Sequence, residues 1–355
     1  MKKIVVIGDT LVGKNTFGIQ RFAYEILLEI DKMPRDYEIE VLIPQCTEIN
    51  KSFETIPIIR YGYIKNSFLW RQICFPWYLK KEKSIGVDFT LGLSYFGSDI
   101  ICLYDCIYEN MPMAFTSFKE KIRRKSYLIR AKKISKSSKF IITDSDNTKR
   151  ELLQYYRVTK EKITVVYNSW QHFQRVNVDE TIFDLINLDR NQTYFFSLGS
   201  GLRHKNFKWI VQAAIQNSQY TFVVAGNNEL SNYIAEIKTD KVHNIIFTGY
   251  LSDEQIKALM KYARAFIHPS FYEGFGIPPL EALATGTEII ISNASCLPEV
   301  YGDSARYIQP DDYAIDMDEI MSREFNENSN VLEKYSWNIS ADKVKIIFDE
   351  IVLKE

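Results

Sequence analysis

Short apolar runs alternate along this chain with longer stretches in which apolar residues return every three or four positions. In the first half, the runs KIVVIG, YEIEVLIP, IICLY, KFIIT and ITVVY have the length and β-branched content of strands. Helical patterns lie between them, notably GIQRFAYEILLEI and the stretch from Lys119 to Lys139. Residues 171–192 are polar, lack sustained strand character and read as a linker region. Beyond them the alternation restarts with TYFFSLG, YTFVVAG, NIIFTG, RAFIHPS and TEIIIS. Such alternation predicts βαβ units and parallel sheets. The first three of these later runs end in glycine, as strands do where their carboxyl ends face a ligand crevice. The expected fold class is α/β, with two Rossmann-like, doubly wound domains facing a central cleft. They are expected over residues 1–175 and 190–335, with a final segment over 336–355.

Composition narrows the picture by exclusion. The 355 residues carry 44 Lys and Arg against 45 Asp and Glu, so global charge points to no polyanion partner and no nucleic acid. Five cysteines, Cys46, Cys74, Cys102, Cys106 and Cys296, have no zinc-type spacing, and an odd number suits a reducing compartment. The four histidines, His172, His204, His243 and His268, are scattered, which argues against an imidazole–thiolate metal site. MKK followed by IVVIG has the look of a secretory n-region, but the apolar run is shorter than the roughly 7–15 residues an h-region needs. No stretch approaches the ~20 apolar residues of a membrane span, and a cytoplasmic protein is expected.

Two motifs look more specific than they are. In IGDTLVGKNT, residues 7–16, Gly8 and Gly13-Lys14 have the spacing of a phosphate-cradling P-loop. That loop needs Ser or Thr after its lysine to coordinate magnesium, and Asn15 stands there, so the segment reads as a Gly-rich turn after a first strand. Asp144-Ser145-Asp146 has the DxD form in which two carboxylates hold a hard cation. The same residues read as a helix cap and first turn, with Ser145 or Asp146 capping, and no metal is expected.

The segment from Lys119 to Lys139 holds ten Lys or Arg against one Glu, with Tyr127, Leu128 and Ile129 among them. A basic amphipathic helix of this kind suits an anionic leaflet or a lipid diphosphate, which would make the protein peripheral at the inner membrane face. A solvated helix face is the alternative.

The densest chemistry lies between Phe266 and Asp312. There a strand ends near His268, the flexible turn EGFG follows, and Pro278 and Pro279 open a helix whose first N–H groups favour a phosphate. Glu273 and Glu281 stand eight apart, one in the loop and one in the helix. The string PSFYEGFGIPPLEALATGT followed by SNASCLPEVYGDSA closely resembles the retaining glycosyltransferases of family 4, which have the GT-B fold. SLGSGLRHKNFKWIVQA is similar to that family's glycine loop, and GYLSDEQIKALMKYARAFIHPS to the helix before its E-x7-E loop. FIITDSDNTKRELLQYYRVTKEKITVVYNS resembles the close of its N-terminal domain, and KYSWNISADKVKIIFDEI the final helix that crosses back onto that domain.

The resemblance implies an acceptor-binding first domain and a second domain that binds the nucleotide-sugar. It implies that Lys205, with Arg203 or His204 beside it, neutralises the donor diphosphate, and that Glu281 accepts from the ribose hydroxyls. It places Glu273 on the donor sugar and the backbone of Phe275, Gly276, Ile277 and Pro278 along sugar and phosphate. Gly18, Gly199 and Ser200 line the diphosphate, Gly249 and Tyr250 hold the base, and Asp105 joins the catalytic set. No metal or cofactor is implied, because fixed cations and a helix N-terminus stabilise the departing diphosphate. The implied reaction moves a sugar, with GDP-mannose favoured, to a saccharide or lipid-linked saccharide in surface polysaccharide synthesis. A nucleotide-sugar epimerase and a non-catalytic sugar-nucleotide-binding subunit are the alternatives.

The chain departs from the family pattern at several positions. Tyr104-Asp105 replaces the frequent His-Asp. Ser200 stands where an arginine is common, leaving Arg203 to supply that charge. Tyr167-Asn168-Ser169 replaces a frequent Asn-Gly, and Glu288 replaces a proline with no expected consequence for catalysis.

Overall fold

The computed structural model describes residues 2–9, 11–12, 18–90, 92–199, 201–226, 242–326 and 330–354. The P-loop-like residues Gly13 to Phe17, and Ser200, therefore lie outside the described residues. The chain divides into two units, one of residues 1–168 with 337–355, the other of residues 169–336.

The first unit is built on a seven-stranded parallel sheet. Its strands are β1 (Lys3–Ile7), β2 (Glu38–Ile43), β3 (Ile58–Arg60), β4 (Ile85–Asp88), β5 (Ile100–Cys102), β6 (Phe140–Thr143) and β7 (Ile163–Val165), in the order β3-β2-β1-β4-β5-β6-β7. Consecutive residues of a strand point to opposite faces, and here both faces are covered. Ile4 and Val6 of β1 enter one core with Val41 and Ile43, while Val5 and Ile7 enter another with Leu42, Trp70 and Phe75. This two-sided burial is why Ile4–Ile7 reads as an unbroken apolar run.

Helix Gly18–Asp31 turns Phe22, Ala23, Ile26, Leu27 and Ile30 inward at helical spacing. Helix Trp337–Lys354 does the same with Trp337, Ala341, Val344, Phe348 and Ile351, and these residues join the core of β1 and β2. The last helix thus belongs to the first unit, packed along helix Gly18–Asp31.

The second unit carries a six-stranded parallel sheet. Its strands are β8 (Tyr194–Gly199), β9 (Thr221–Gly226), β10 (Ile245–Gly249), β11 (Ala265–His268), β12 (Ile289–Ser292) and β13 (Arg306–Ile308), in the order β10-β9-β8-β11-β12-β13. Gly226, paired with Gly199 across β8 and β9, has φ 150°, and a Cβ there would meet Gly199 O at 2.1 Å. The two strand-end glycines therefore let the backbones close on each other.

Two expectations need correcting. Residues 169–175 fall in the second unit, because Ser169 Oγ and Gln171 Nε2 donate to Tyr335 O at 2.7 and 2.9 Å and Trp170 Nε1 donates to Leu332 O at 2.9 Å. The expected linker also folds, as a 3-10 turn at Gln171–Arg175 and a short helix at Thr181–Leu185, with His172, Phe173, Ile182 and Phe183 buried.

Candidate active site

From β8 the chain builds outward to β9 and β10, then returns to lay β11 on the other side of β8. At such a switch point the loops leaving the two central strands diverge and open a crevice at the carboxyl edge. The loop after β8 ends in a 3-10 turn, Arg203–Lys205, and the loop after β11 leads into helix Ile277–Leu283.

Backbone and side-chain hydrogen bonds tie the two loops together. Phe271 N donates to His204 O at 2.7 Å, and buried Asn206 donates through Nδ2 to Pro269 O at 3.0 Å and Pro310 O at 2.6 Å. Asn206 sits at φ 54°, a left-handed conformation that asparagine tolerates better than most residues.

This clip brings three ionisable side chains together. Lys205 Nζ donates to Glu273 Oε1 at 2.7 Å and Oε2 at 2.9 Å, and His268 Nε2 lies 2.8 Å from Oε1. Burial opposes ionisation of Glu273, but the Lys205 charge, His268 and their hydrogen bonds outweigh it and hold the carboxyl well below the usual range. The lysine is thereby anchored as a fixed cation at the end of the sheet. Arg203 is solvent-exposed on the same turn. His204 does not add to this charge: burial, reinforced by the neighbouring Lys205 charge, pushes its pKa down to about 4. His204 is therefore neutral at pH 7 in this arrangement, and Arg203 and Lys205 are the cationic residues of the turn.

Gly276 precedes the helix at φ 82°, where a Cβ would meet Leu297 Cδ2 at 2.8 Å, so both conformation and space call for glycine. Its carbonyl accepts from Tyr301 OH. Phe275 is buried edge-on against Tyr335, with ring centroids 5.2 Å apart, so only its backbone can line the loop. Ile277 and Pro278 form the first helical residues. Glu281 is buried in the same helix, its Oε1 2.7 Å from His172 Nε2. Gly249 closes β10 where its register with β9 shifts, and Tyr250 beside it is 74% exposed.

Residues 178–336 match the family described as Glycosyl transferases group 1. The second unit is a glycosyl transferases group 1 domain. Over 181 residues the chain is 32% identical to the O-antigen chain mannosyltransferase RfbU of Salmonella typhimurium, covering 50% of this chain and 48% of that protein. Over 68 residues it is 47% identical to the O-antigen chain mannosyltransferase B of Escherichia coli, covering 19% of this chain and 18% of that one. The chain thus spans about half, or less, of the length of these relatives. Sucrose-phosphate synthase from Thermosynechococcus elongatus superposes with a TM-score of 0.74 at 14% identity, over 100% of both chains. With its two parallel-sheet, Rossmann-like units the chain has the GT-B fold.

The group 1 domain accounts for Gly199, Arg203, His204, Lys205, Gly249, Tyr250, Glu273, Phe275, Gly276, Ile277, Pro278 and Glu281. Gly18 and Asp105 lie in the first unit, Gly18 as the first residue of its helix and Asp105 accepting from Ile107 N at 3.0 Å. Tyr104 is buried, its ring 5.3 Å from Phe22 and its OH donating to Phe89 O at 2.6 Å, so the hydroxyl is already bonded to backbone.

Asp144 and Asp146 are placed as parts of a helix start. Ser145 accepts from Thr148 N at 3.1 Å, Asp144 Oδ2 from Asn168 Nδ2 at 3.3 Å, and Asp146 Oδ2 from Tyr167 OH at 3.1 Å. Glu288 takes a packing role, accepting from Arg306 NH1 at 2.6 Å and Arg264 NH1 at 3.3 Å.

Sequence reasoning gave no role to His268 or His172. His268 could have been noticed as the last residue of a strand entering the EGFG loop. Nothing in the sequence links His172 to Glu281, 109 positions away.

Proposed function

We propose that this protein is a retaining, metal-independent glycosyltransferase that moves a mannose-type sugar from GDP-mannose to a saccharide or lipid-linked saccharide. The observation that carries this reading is the Lys205–Glu273 pair at the switch point of a glycosyl transferases group 1 domain. A departing nucleoside diphosphate gains negative charge as the glycosidic bond loosens. A fixed ammonium and preorganised amides meet that charge without reorganising, and a partly buried position strengthens the attraction. Glu273, kept ionised, is suited to accept from sugar hydroxyls, and Glu281 from the paired ribose hydroxyls. Mannose as the sugar, and polysaccharide synthesis as the setting, rest on the O-antigen chain mannosyltransferases among the relatives.

The test is transfer from GDP-mannose to a lipid-linked saccharide extract, with the anomeric configuration of the product read by NMR. Transfer that persists in EDTA and keeps the donor's configuration is expected. An inverted product, or activity abolished by chelation, would refute the reading.

The reading extends to location: a cytoplasmic enzyme held at the inner membrane face. No helix among the described residues is long and apolar enough to cross a membrane. Helix Phe118–Ser137 instead exposes Phe118, Ile122 and Ile129 among its lysines and arginines. From the same helix Arg130 lies 5.3 Å from the ring of Phe68, and Lys133 lies 5.2 Å from that of Phe96; both rings are exposed. Aromatic rings flanked by cations suit the interface of an anionic bilayer. Flotation with phosphatidylglycerol vesicles is expected at low salt, and its absence there would remove the idea.

A further inference from the structure

Glu281 is a buried acid in helix Ile277–Leu283, and one of its partners, His172, comes from a distant segment of the chain. Its side chain is 10% exposed and that of His172 only 2%, with 2.7 Å between Oε1 and Nε2. Against an ionised carboxylate, which can only accept, the imidazole proton in this contact is assigned to Nε2.

The segment carrying His172 is itself held on both sides. Gln171 Nε2 donates to Tyr335 O at 2.9 Å, Trp170 Nε1 to Leu332 O at 2.9 Å, and Lys257 Nζ to Phe173 O at 2.7 Å. The imidazole is thus an anchored donor rather than a mobile one. A carboxylate with one oxygen fixed by such a donor has its plane set, and with it the direction in which it accepts from a ligand.

We infer that His172 is a positioning residue for nucleotide binding: it holds the Glu281 carboxylate in the orientation that accepts the ribose hydroxyls of a nucleoside diphosphate. The inference rests on the reading that Glu281 binds ribose, and the experiment separates the two. Dissociation constants for GDP and UDP, each against its 2′-deoxy analogue, are measured by calorimetry on the full chain. Wild type, H172F, H172Q and E281Q are compared, with thermal melts to confirm folding.

Wild type should prefer the ribonucleotide by roughly tenfold or more, the loss expected for one hydrogen bond to a charged group. H172F should lose that preference while keeping its affinity for the deoxy analogue. H172Q, whose amide nitrogen can still donate, should recover most of it. If H172F weakens both nucleotides equally, or leaves the ratio unchanged while E281Q abolishes it, His172 is only packing and the inference fails. If wild type shows no preference, the ribose reading of Glu281 fails and takes the inference with it. Should H172F not fold, a ratio in H172Q far below that of wild type would equally overturn it.

Discussion

Replacing Lys205 by alanine is expected to lower kcat/KM for the proposed sugar transfer by about 10²–10³-fold, the usual effect of removing one preorganised group from developing negative charge. The lysine acts on two partners. In the proposed reaction it is the fixed cation that meets the donor's diphosphate, and in the structure it bonds both oxygens of Glu273 at 2.7 and 2.9 Å. Its removal therefore has a second, separable signature. Burial alone raises the pKa of Glu273, and the Lys205 charge is the largest influence opposing it. Without that charge the carboxyl protonates at higher pH, so the acid limb of the pH–rate profile moves upward in Lys205→Ala. In the wild-type protein the depressed pKa adds stability above the unfolded carboxylate value, and this is lost as pH falls through the folded value. Steady-state kinetics across pH checks both effects. A loss below tenfold, or an acid limb that stays in place, would remove Lys205 from its assigned position.

Replacing Trp337 by alanine is expected to destabilise the first unit by about 3–5 kcal/mol, the range for deleting a large aromatic side chain from a packed core. Trp337 opens the last helix, is 2% exposed, and meets Phe22 edge-on at a ring distance of 6.2 Å. The cavity would open between that helix and helix Gly18–Asp31, where neighbouring side chains belong to the core of β1 and β2 and cannot collapse freely. Because the chain holds two units, unfolding should be followed by calorimetry rather than by a single two-state fit. The expected result is a lowered transition for the first unit. A shift equivalent to less than 1 kcal/mol would mean that the last helix contributes little to that core.

The sequence made the architecture legible wherever a strand carries its own apolar run. β1, β2, β8, β9 and β12 are of that kind. β3, β4 and β13 escaped for physical reasons. β3 and β13 are three-residue strands on the sheet edges, too short to leave an apolar run to read. β4 contains Gly86, and a Cβ there would lie 1.7 Å from Gly97 O, so close backbone approach rather than propensity selects its residue.

The candidate site divides in the same way. Lys205, Glu273, Gly276 and Glu281 stand in motif strings short enough to read, and the resemblance located them. The neutrality of His204, the seating of Tyr104 against Phe89 O and the contact of His172 with Glu281 depend on burial and on partners far along the chain. No local pattern encodes those.

Calorimetric titration of GDP into wild type, Lys205→Ala and the double variant Asp144→Asn/Asp146→Asn, all in EDTA, tests the central claim most directly. The account predicts that wild type and the double variant bind alike without any divalent ion, and that Lys205→Ala binds at least tenfold more weakly. Binding that appears only with manganese, vanishes in the double variant and survives in Lys205→Ala would contradict it.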